Sequence, residues 1–286
     1  MRVSSSGLRA RVAAPDKCSG YYRSPRGPGP ATHCSFFVPV QFPLKLVDRR
    51  MLAPTVGHYQ FVRDDGLPLD FLPGQFIQVH FHYADGTATR RSYSLATIHD
   101  HALGPGDAVE IAVSFVPGGA ATALFEGLEI GGHVTASGPF GRFCLQPGDH
   151  NARYLLIATG TGVTPYRSML PQLQQAIAAR GIEVVLLQGA RTPAELLYSE
   201  DFRAFAEANP AFRYVPCLSR ELPQNPHPDV RHGYVQQHLA EFAPDPARDI
   251  AYLCGNPDMV DACFEALKAA GLPVPQIRRE KYVSSK

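Results

Sequence analysis

The chain has almost no net charge, no closely spaced cysteines and no long apolar run, and each absence narrows its function. Over 286 residues, 27 Lys and Arg face 26 Asp and Glu, a formal net charge of +1. No whole-molecule field therefore draws it to nucleic acid or to an anionic membrane, and an acidic partner must find a local basic patch. The six cysteines, Cys18, Cys34, Cys144, Cys217, Cys254 and Cys263, are widely scattered. They lack the close pairing of zinc and iron–sulfur sites, so neither a metal centre nor a disulfide framework is expected. No apolar stretch approaches the roughly 18 residues of a membrane helix. The expectation is a cytoplasmic monomer with no membrane span and no nucleic-acid partner.

What is present divides into three. The start is rich in Ser, Arg, Pro and Gly, with Asp16 its only acid. Residues 1–35 are expected to be a disordered leader, although the composition also suits an organellar transit peptide. Residues 36–150 alternate short apolar–polar stretches with turn signals. "GQFIQVHF" (74–81), "AVEIAVSF" (108–115) and "HVTASGPFG" (133–141) are separated by "ADG", "GPGD", "PGG" and "IGG". This rhythm predicts an antiparallel sandwich or barrel.

At Arg153 the pattern changes. "RYLLIA" and "IEVVLLQGA" are continuous apolar runs, joined by the helix-like "YRSMLPQLQQAIAARG", and "RYVPCLS", "IAYLCGN" and the helical "DMVDACFEALKAAG" follow. Residues 151–286 therefore read as a parallel α/β domain, whose ligands bind at the carboxyl ends of its strands.

Two short stretches carry the chemistry. In "TGTGVTP", Gly160 and Gly162 permit a tight turn into a helix that begins near Thr164 and Pro165. Such a helix start presents unpaired N–H groups and suits a pyrophosphate; by itself the turn is equally consistent with a purely structural bend. In "RRSYSLA", a strand places Arg91 and Tyr93 on one face and Ser92 and Ser94 on the other. A guanidinium beside a flat ring suits a ligand with phosphates and a heterocycle, while a surface arginine next to a half-buried tyrosine is the plainer alternative.

The motifs R-S-Y-S, G-T-G-V-T-P and C-G-N-P-D-M-V occur in this order, the first in the β-rich part and the others in the α/β part. Together they resemble the ferredoxin–NADP reductase family of flavoproteins over about residues 36–286. The resemblance implies an antiparallel β-barrel that binds FAD, followed by a Rossmann-like parallel α/β domain that binds NADP(H). It assigns Arg91 to the FAD pyrophosphate, Tyr93 to the isoalloxazine face and Ser94 to the neighbourhood of flavin N5, with Ser92 between them. Gly118, Gly119 and Thr122 match the segment that wraps the FAD diphosphate. Gly160, Thr161, Gly162, Val163 and Thr164 match the turn that receives NADP, and Cys254, Gly255 and Asn256 match the nicotinamide-side motif. Ser219 and Arg220, with Arg191 from a neighbouring strand end, are expected to bind the adenosine 2'-phosphate. Tyr282 matches the aromatic that covers the second flavin face, and Glu280 an acid near the nicotinamide. Ser94, Cys254 and Glu280 are thus the expected catalytic group.

The function implied is hydride exchange between NADPH and FAD, followed by single-electron exchange with a separate ferredoxin or flavodoxin. Arg90, Arg142, Arg278, Arg279, Lys281 and Lys286 are candidates for a positive surface facing that partner. A reductase component of an oxygenase, a flavin or ferric-siderophore reductase, and a non-catalytic flavoprotein subunit are the alternatives.

Overall fold

A computed structural model of the chain describes residues 41–99, 103–146 and 148–282. The expected leader, Cys18, Cys34 and Lys286 lie outside the described residues.

The amino-terminal strands are β1 (Gln41–Ala53), β2 (Val56–Arg63), β3 (Phe76–His82), β4 (Ala88–Ser94), β5 (Val109–Ser114) and β6 (His133–Phe140). They form one antiparallel sheet in the order β4-β3-β6-β1-β2-β5. A bridge from Leu95 to Ile111 brings its two edges together, so the sheet closes as a barrel. Period-two alternation drives this fold: Ile77, Val79 and Phe81 point inward from β3 while the residues between them are only partly covered. The barrel core collects Leu44, Leu46, Phe61, Ile111 and Val113, and the short helix α1 (Ala120–Gly127) plugs it with Phe125. Each such side chain contributes about 1.5–3 kcal/mol by leaving water.

The second part contains strands β7 (Arg153–Thr159), β8 (Glu183–Ala190), β9 (Phe212–Leu218), β10 (Arg231–His232), β11 (Asp249–Gly255) and β12 (Ile277–Lys281). All pair in parallel, in the order β10-β9-β8-β7-β11-β12. Helices α2 (Thr164–Arg180) and α3 (Ser199–Ala208) cover one face, and α4 (Pro257–Ala269) covers the other. Central strands buried on both sides read as unbroken apolar runs, as β7 and β11 do. The strand order reverses between β7 and β11. Their carboxyl ends, Thr159 and Gly255, therefore flank the crevice where such sheets bind ligands.

Barrel and sheet share a continuous core. Phe143, just past the barrel, packs on Tyr166 of α2 and Tyr252 of β11, with ring centroids 6.1 and 5.5 Å apart.

Candidate active site

A cavity of about 670 Å³ opens between β4, the segment leading into α1, and the last described residues of the chain. Its wall unites Arg91, Ser92, Tyr93 and Ser94 with Gly118, Gly119 and Thr122, and also with Thr161, Thr164, Glu280 and Tyr282. Residues as far apart as Ser94 and Tyr282, separated by 188 positions, thus meet in one place.

Arg91 is held by its own strand. Its guanidinium donates to Tyr83 Oη at 2.9 Å and to Thr89 Oγ1 at 3.0 Å, beside the rings of Phe81 and Tyr83. Among the described residues no carboxylate pairs with it. Across the cavity, α1 begins at Gly119 with Ala120 and Ala121 on the wall, so the free N–H groups of its first turn border the same space. Gly118 adopts φ +73° with open space where a side chain would stand, a turn that favours glycine. Thr122, on the same wall, also braces the loop. Its hydroxyl donates to Val116 O at 2.9 Å and accepts from Val116 N–H at 2.8 Å, which shapes the loop.

Ser94 departs from simple strand alternation. It is buried, because the barrel closes at Leu95 and Tyr282 lies across its hydroxyl. The Ser94 hydroxyl and the Tyr282 phenol share a short hydrogen bond. Cys254 of β11 stands opposite Glu280 of β12, and the Tyr282 ring packs on the buried cluster that holds Cys254. Burial, and then the nearby Glu280 carboxyl, push the Cys254 thiol well above its ordinary range, so it stays protonated and is no nucleophile. Burial alone lifts Glu280 to about 7.

The Gly-rich turn is the wall between two cavities. Thr161 and Thr164 face the first cavity, whereas Thr159 and Gly160 line a second cavity of about 720 Å³ at the carboxyl ends of β7, β8 and β9. Gly162 owes its identity to packing: a Cβ there would stand 2.3 Å from the Cys254 carbonyl oxygen. Val163 and Cys254 are likewise buried behind the wall. Asn256 lines the second cavity and caps α4, its side chain accepting from Asp258 and Met259 N–H groups at 2.9 and 3.2 Å.

Arg191 and Ser219 also line the second cavity, side by side at the ends of paired strands, but Arg220 is exposed and off its wall. Arg191 is not free: its Nε donates to Glu195 Oε2 at 2.9 Å, and its NH2 also meets Glu195. Sequence reasoning missed both Glu195 and Tyr234, an aromatic 60% exposed on this cavity. Neither belongs to a periodic pattern, since Glu195 ends a single 3-10 turn and Tyr234 precedes another, both in connections at the strand ends.

The expected basic surface is only partly available. Lys281 pairs with Asp261 at 2.7 Å, and Arg279 lies over the Phe264 ring, 3.8 Å from its centroid. Arg90 belongs to the wall of the first cavity, while Arg142 and Arg278 are exposed.

The residues present fit a flavin dinucleotide. A cation that pairs with no carboxylate among the described residues shares the cavity with a helix start, a tyrosine edges the space, and Thr164 Oγ1 is buried on the wall with no partner among the described residues. A closed barrel with this cavity, joined to a parallel sheet with a nucleotide crevice, defines a two-domain flavin–nicotinamide oxidoreductase. Comparison with known proteins agrees. The oxidoreductase FAD-binding domain matches residues 43–144, and the oxidoreductase NAD-binding domain matches residues 156–265. Ferredoxin–NADP reductase B of Sorangium cellulosum is 34% identical over 249 residues, 84% of this chain and 97% of that protein. The chain belongs to the ferredoxin–NADP reductase family. The reductase component of propane 2-monooxygenase from Rhodococcus jostii is 34% identical over 220 residues, and there the chain spans 75% of its own length but only 56% of the relative's. The crystal structure of a cytochrome P450 reductase from Amycolatopsis superposes with a TM-score of 0.72 at 33% identity, covering 85% of this chain and 69% of that one. Among the described residues no helix is long and apolar enough to cross a membrane.

Proposed function

We propose that the chain is a reductase that accepts hydride from NADPH into FAD and passes single electrons to a separate redox protein. The observation that carries this reading is the convergence of Ser94, Glu280 and Tyr282 on one cavity wall, with Cys254 behind it against the Gly-rich turn.

In this reading Arg91 and the start of α1 hold the FAD pyrophosphate, and Tyr93 backs the ring system. FAD, when bound, supplies the conversion between two-electron and one-electron transfer. The protein's part is positioning. Hydride transfer depends on the distance and angle between two rings, which the packed wall of Ser94, Thr164 and Cys254 fixes. Tyr282 covers the place where a nicotinamide must lie, so its ring shifts when nucleotide binds. Ser94 and Glu280 then act on the charge that moves with the hydride.

Ser219, Arg191 and Arg220 favour NADPH through its 2'-phosphate. NADH is the second reading, and the Glu195 fork on Arg191 favours it by neutralising one of the two cations. The ratio of kcat/KM for the two nucleotides decides. Arg220→Ala is expected to raise KM for NADPH about 10-fold or more and to leave NADH nearly unchanged; an equal effect on both would remove the 2'-phosphate assignment.

The acceptor is proposed to be a ferredoxin, a flavodoxin or the oxygenase component of a monooxygenase. Reduction of a purified iron–sulfur or flavin protein by the NADPH-reduced chain, faster than reduction of free flavin, is the expected result. Preference for free flavin would make the chain a flavin reductase.

A further inference from the structure

Arg167 is a buried cation that lines neither cavity, yet it joins the two parts of the fold at their working ends. It stands on the first turn of α2, three residues after Thr164, and is only 9% exposed. Its NH1 donates to Ala96 O at 2.6 Å and also to Glu110 Oε2, both groups of the barrel. Its Nε donates to Asp201 Oδ2 of α3 at 2.6 Å, and its guanidinium lies over the Tyr198 ring, 4.8 Å from the centroid.

The partners are themselves fixed. Gln60 of β2 donates to Glu110 Oε1 at 3.2 Å. Tyr198, held at φ +55°, shares a 2.9 Å hydrogen bond with Nδ1 of the fully buried His58. One residue further along α2, Ser168 Oγ accepts from Gly74 N–H of the barrel at 3.1 Å.

The placement of these contacts matters more than their number. Ala96 lies two residues from Ser94, and Glu110 lies two residues from Ala112, which lines the flavin-side cavity. On the other side, Arg167 is one helical turn from the Gly-rich turn that separates the two cavities. Apolar packing alone would tolerate a slide of one part over the other. A planar fork with donors in fixed directions does not. A buried ion cluster adds little net stability, so orientation is the property it supplies best.

Resting on the functional reading above, we propose that Arg167 is a positioning residue: by clamping Ala96 and Glu110 to the first turn of α2 it sets the separation between the nucleotide-binding turn and the flavin-bearing strand. It governs the rate of hydride transfer without touching either cofactor.

Arg167→Lys keeps the charge and loses the fork. In the full chain reconstituted with FAD, the limiting rate of flavin reduction at saturating NADPH is expected to fall about 10-fold or more, because small misplacements of reacting groups are costly. FAD content and the NADPH Kd are expected to stay within about two-fold of wild type. Amide hydrogen exchange, measured without nucleotide, is expected to rise about 10-fold at residues 159–168 and 95–97 and to stay unchanged in β11. An unchanged exchange pattern, or an unchanged limiting rate in an otherwise active protein, overturns the proposal. So does a rate loss matched by an equal loss of nucleotide affinity. If Arg167→Lys does not fold, Glu110→Gln carries the same readouts: a several-fold slower limiting rate with faster exchange supports the clamp, and wild-type values in both overturn it. A wild-type protein whose flavin NADPH does not reduce would instead contradict the functional reading, and the exchange measurement would still decide the clamp.

Discussion

The hydroxyl of Ser94 and the phenol of Tyr282 share a hydrogen bond across 188 residues of sequence. Tyr282 also donates its backbone N–H to Gly255 O at 2.8 Å, so one residue spans from β4 of the barrel to the end of β11. A single aromatic therefore closes the flavin-side cavity against the nucleotide crevice. Its phenol pairs with the group expected to lie nearest the reacting flavin atom.

Ser94→Ala is expected to slow flavin reduction by NADPH by about 100- to 1,000-fold, the range for losing one oriented donor at a site of charge development. FAD content should not change, because Arg91 and the start of α1 are untouched. Stopped-flow bleaching at saturating NADPH checks this, and a wild-type limiting rate would remove Ser94 from the catalytic group.

Arg91→Ala takes away the cation that no described carboxylate offsets. The protein is expected to lose most of its FAD on gel filtration while keeping its fold by circular dichroism. Loss of charge-assisted contacts of this kind weakens binding by about 1.5–3 kcal/mol each, roughly 10- to 100-fold in Kd. Full flavin retention would contradict the assignment.

Glu280 is held at about 7 by burial, so it changes charge within the physiological range. Below that pH it is neutral, and above it is a carboxylate that stabilises positive charge developing on a nicotinamide. Flavin reduction by NADPH should therefore quicken as pH rises through about 7, and Glu280→Gln should flatten that step. Stability moves the other way: a carboxyl whose native value is raised contributes stability at low pH and loses it as pH rises through about 7.

His58 gives the opposite dependence. It is fully buried, and its ring is depressed to about 4 by burial and then by the charge of Arg167, with Arg50 adding and Asp48 and Asp201 opposing. Tyr198 and Glu110 also face it. The unfolded chain binds this proton near pH 6.5 and the native protein only near 4, so stability is full above about 6.5 and falls as pH drops toward 4. The loss attributable to this residue is about 3 kcal/mol. Thermal unfolding at pH 7 and pH 5 should show a steeper decline in wild type than in His58→Gln.

The elements that were legible in the sequence are those whose environment is uniform along their length. β3 alternates because one face of the barrel is buried, and β7 and β11 are apolar between their polar ends because both their faces are covered. β12 offered no such signal: only Ile277 is fully buried and Glu280 partly so, and among the described residues this edge strand pairs on one side alone. Among the site residues, Arg91, Tyr93, Gly118 and Gly160 stood out because cation, ring and glycine recur at positions with a stated chemical use. Arg167 did not, since an arginine in "YRSML" reads as solvated, and its partner Glu110 is 57 residues away. Glu195 was hidden similarly, because an acid one turn beyond Arg191 becomes meaningful only when the loop turns it back onto the guanidinium.

The central claim, that one chain binds FAD and accepts hydride from NADPH, is tested most directly by the visible absorbance spectrum of the purified protein under anaerobic conditions. The account predicts flavin bands that bleach on addition of stoichiometric NADPH. Flavin bands that persist would contradict the proposed hydride transfer, and a colourless protein that FAD fails to reconstitute would contradict the cofactor site itself.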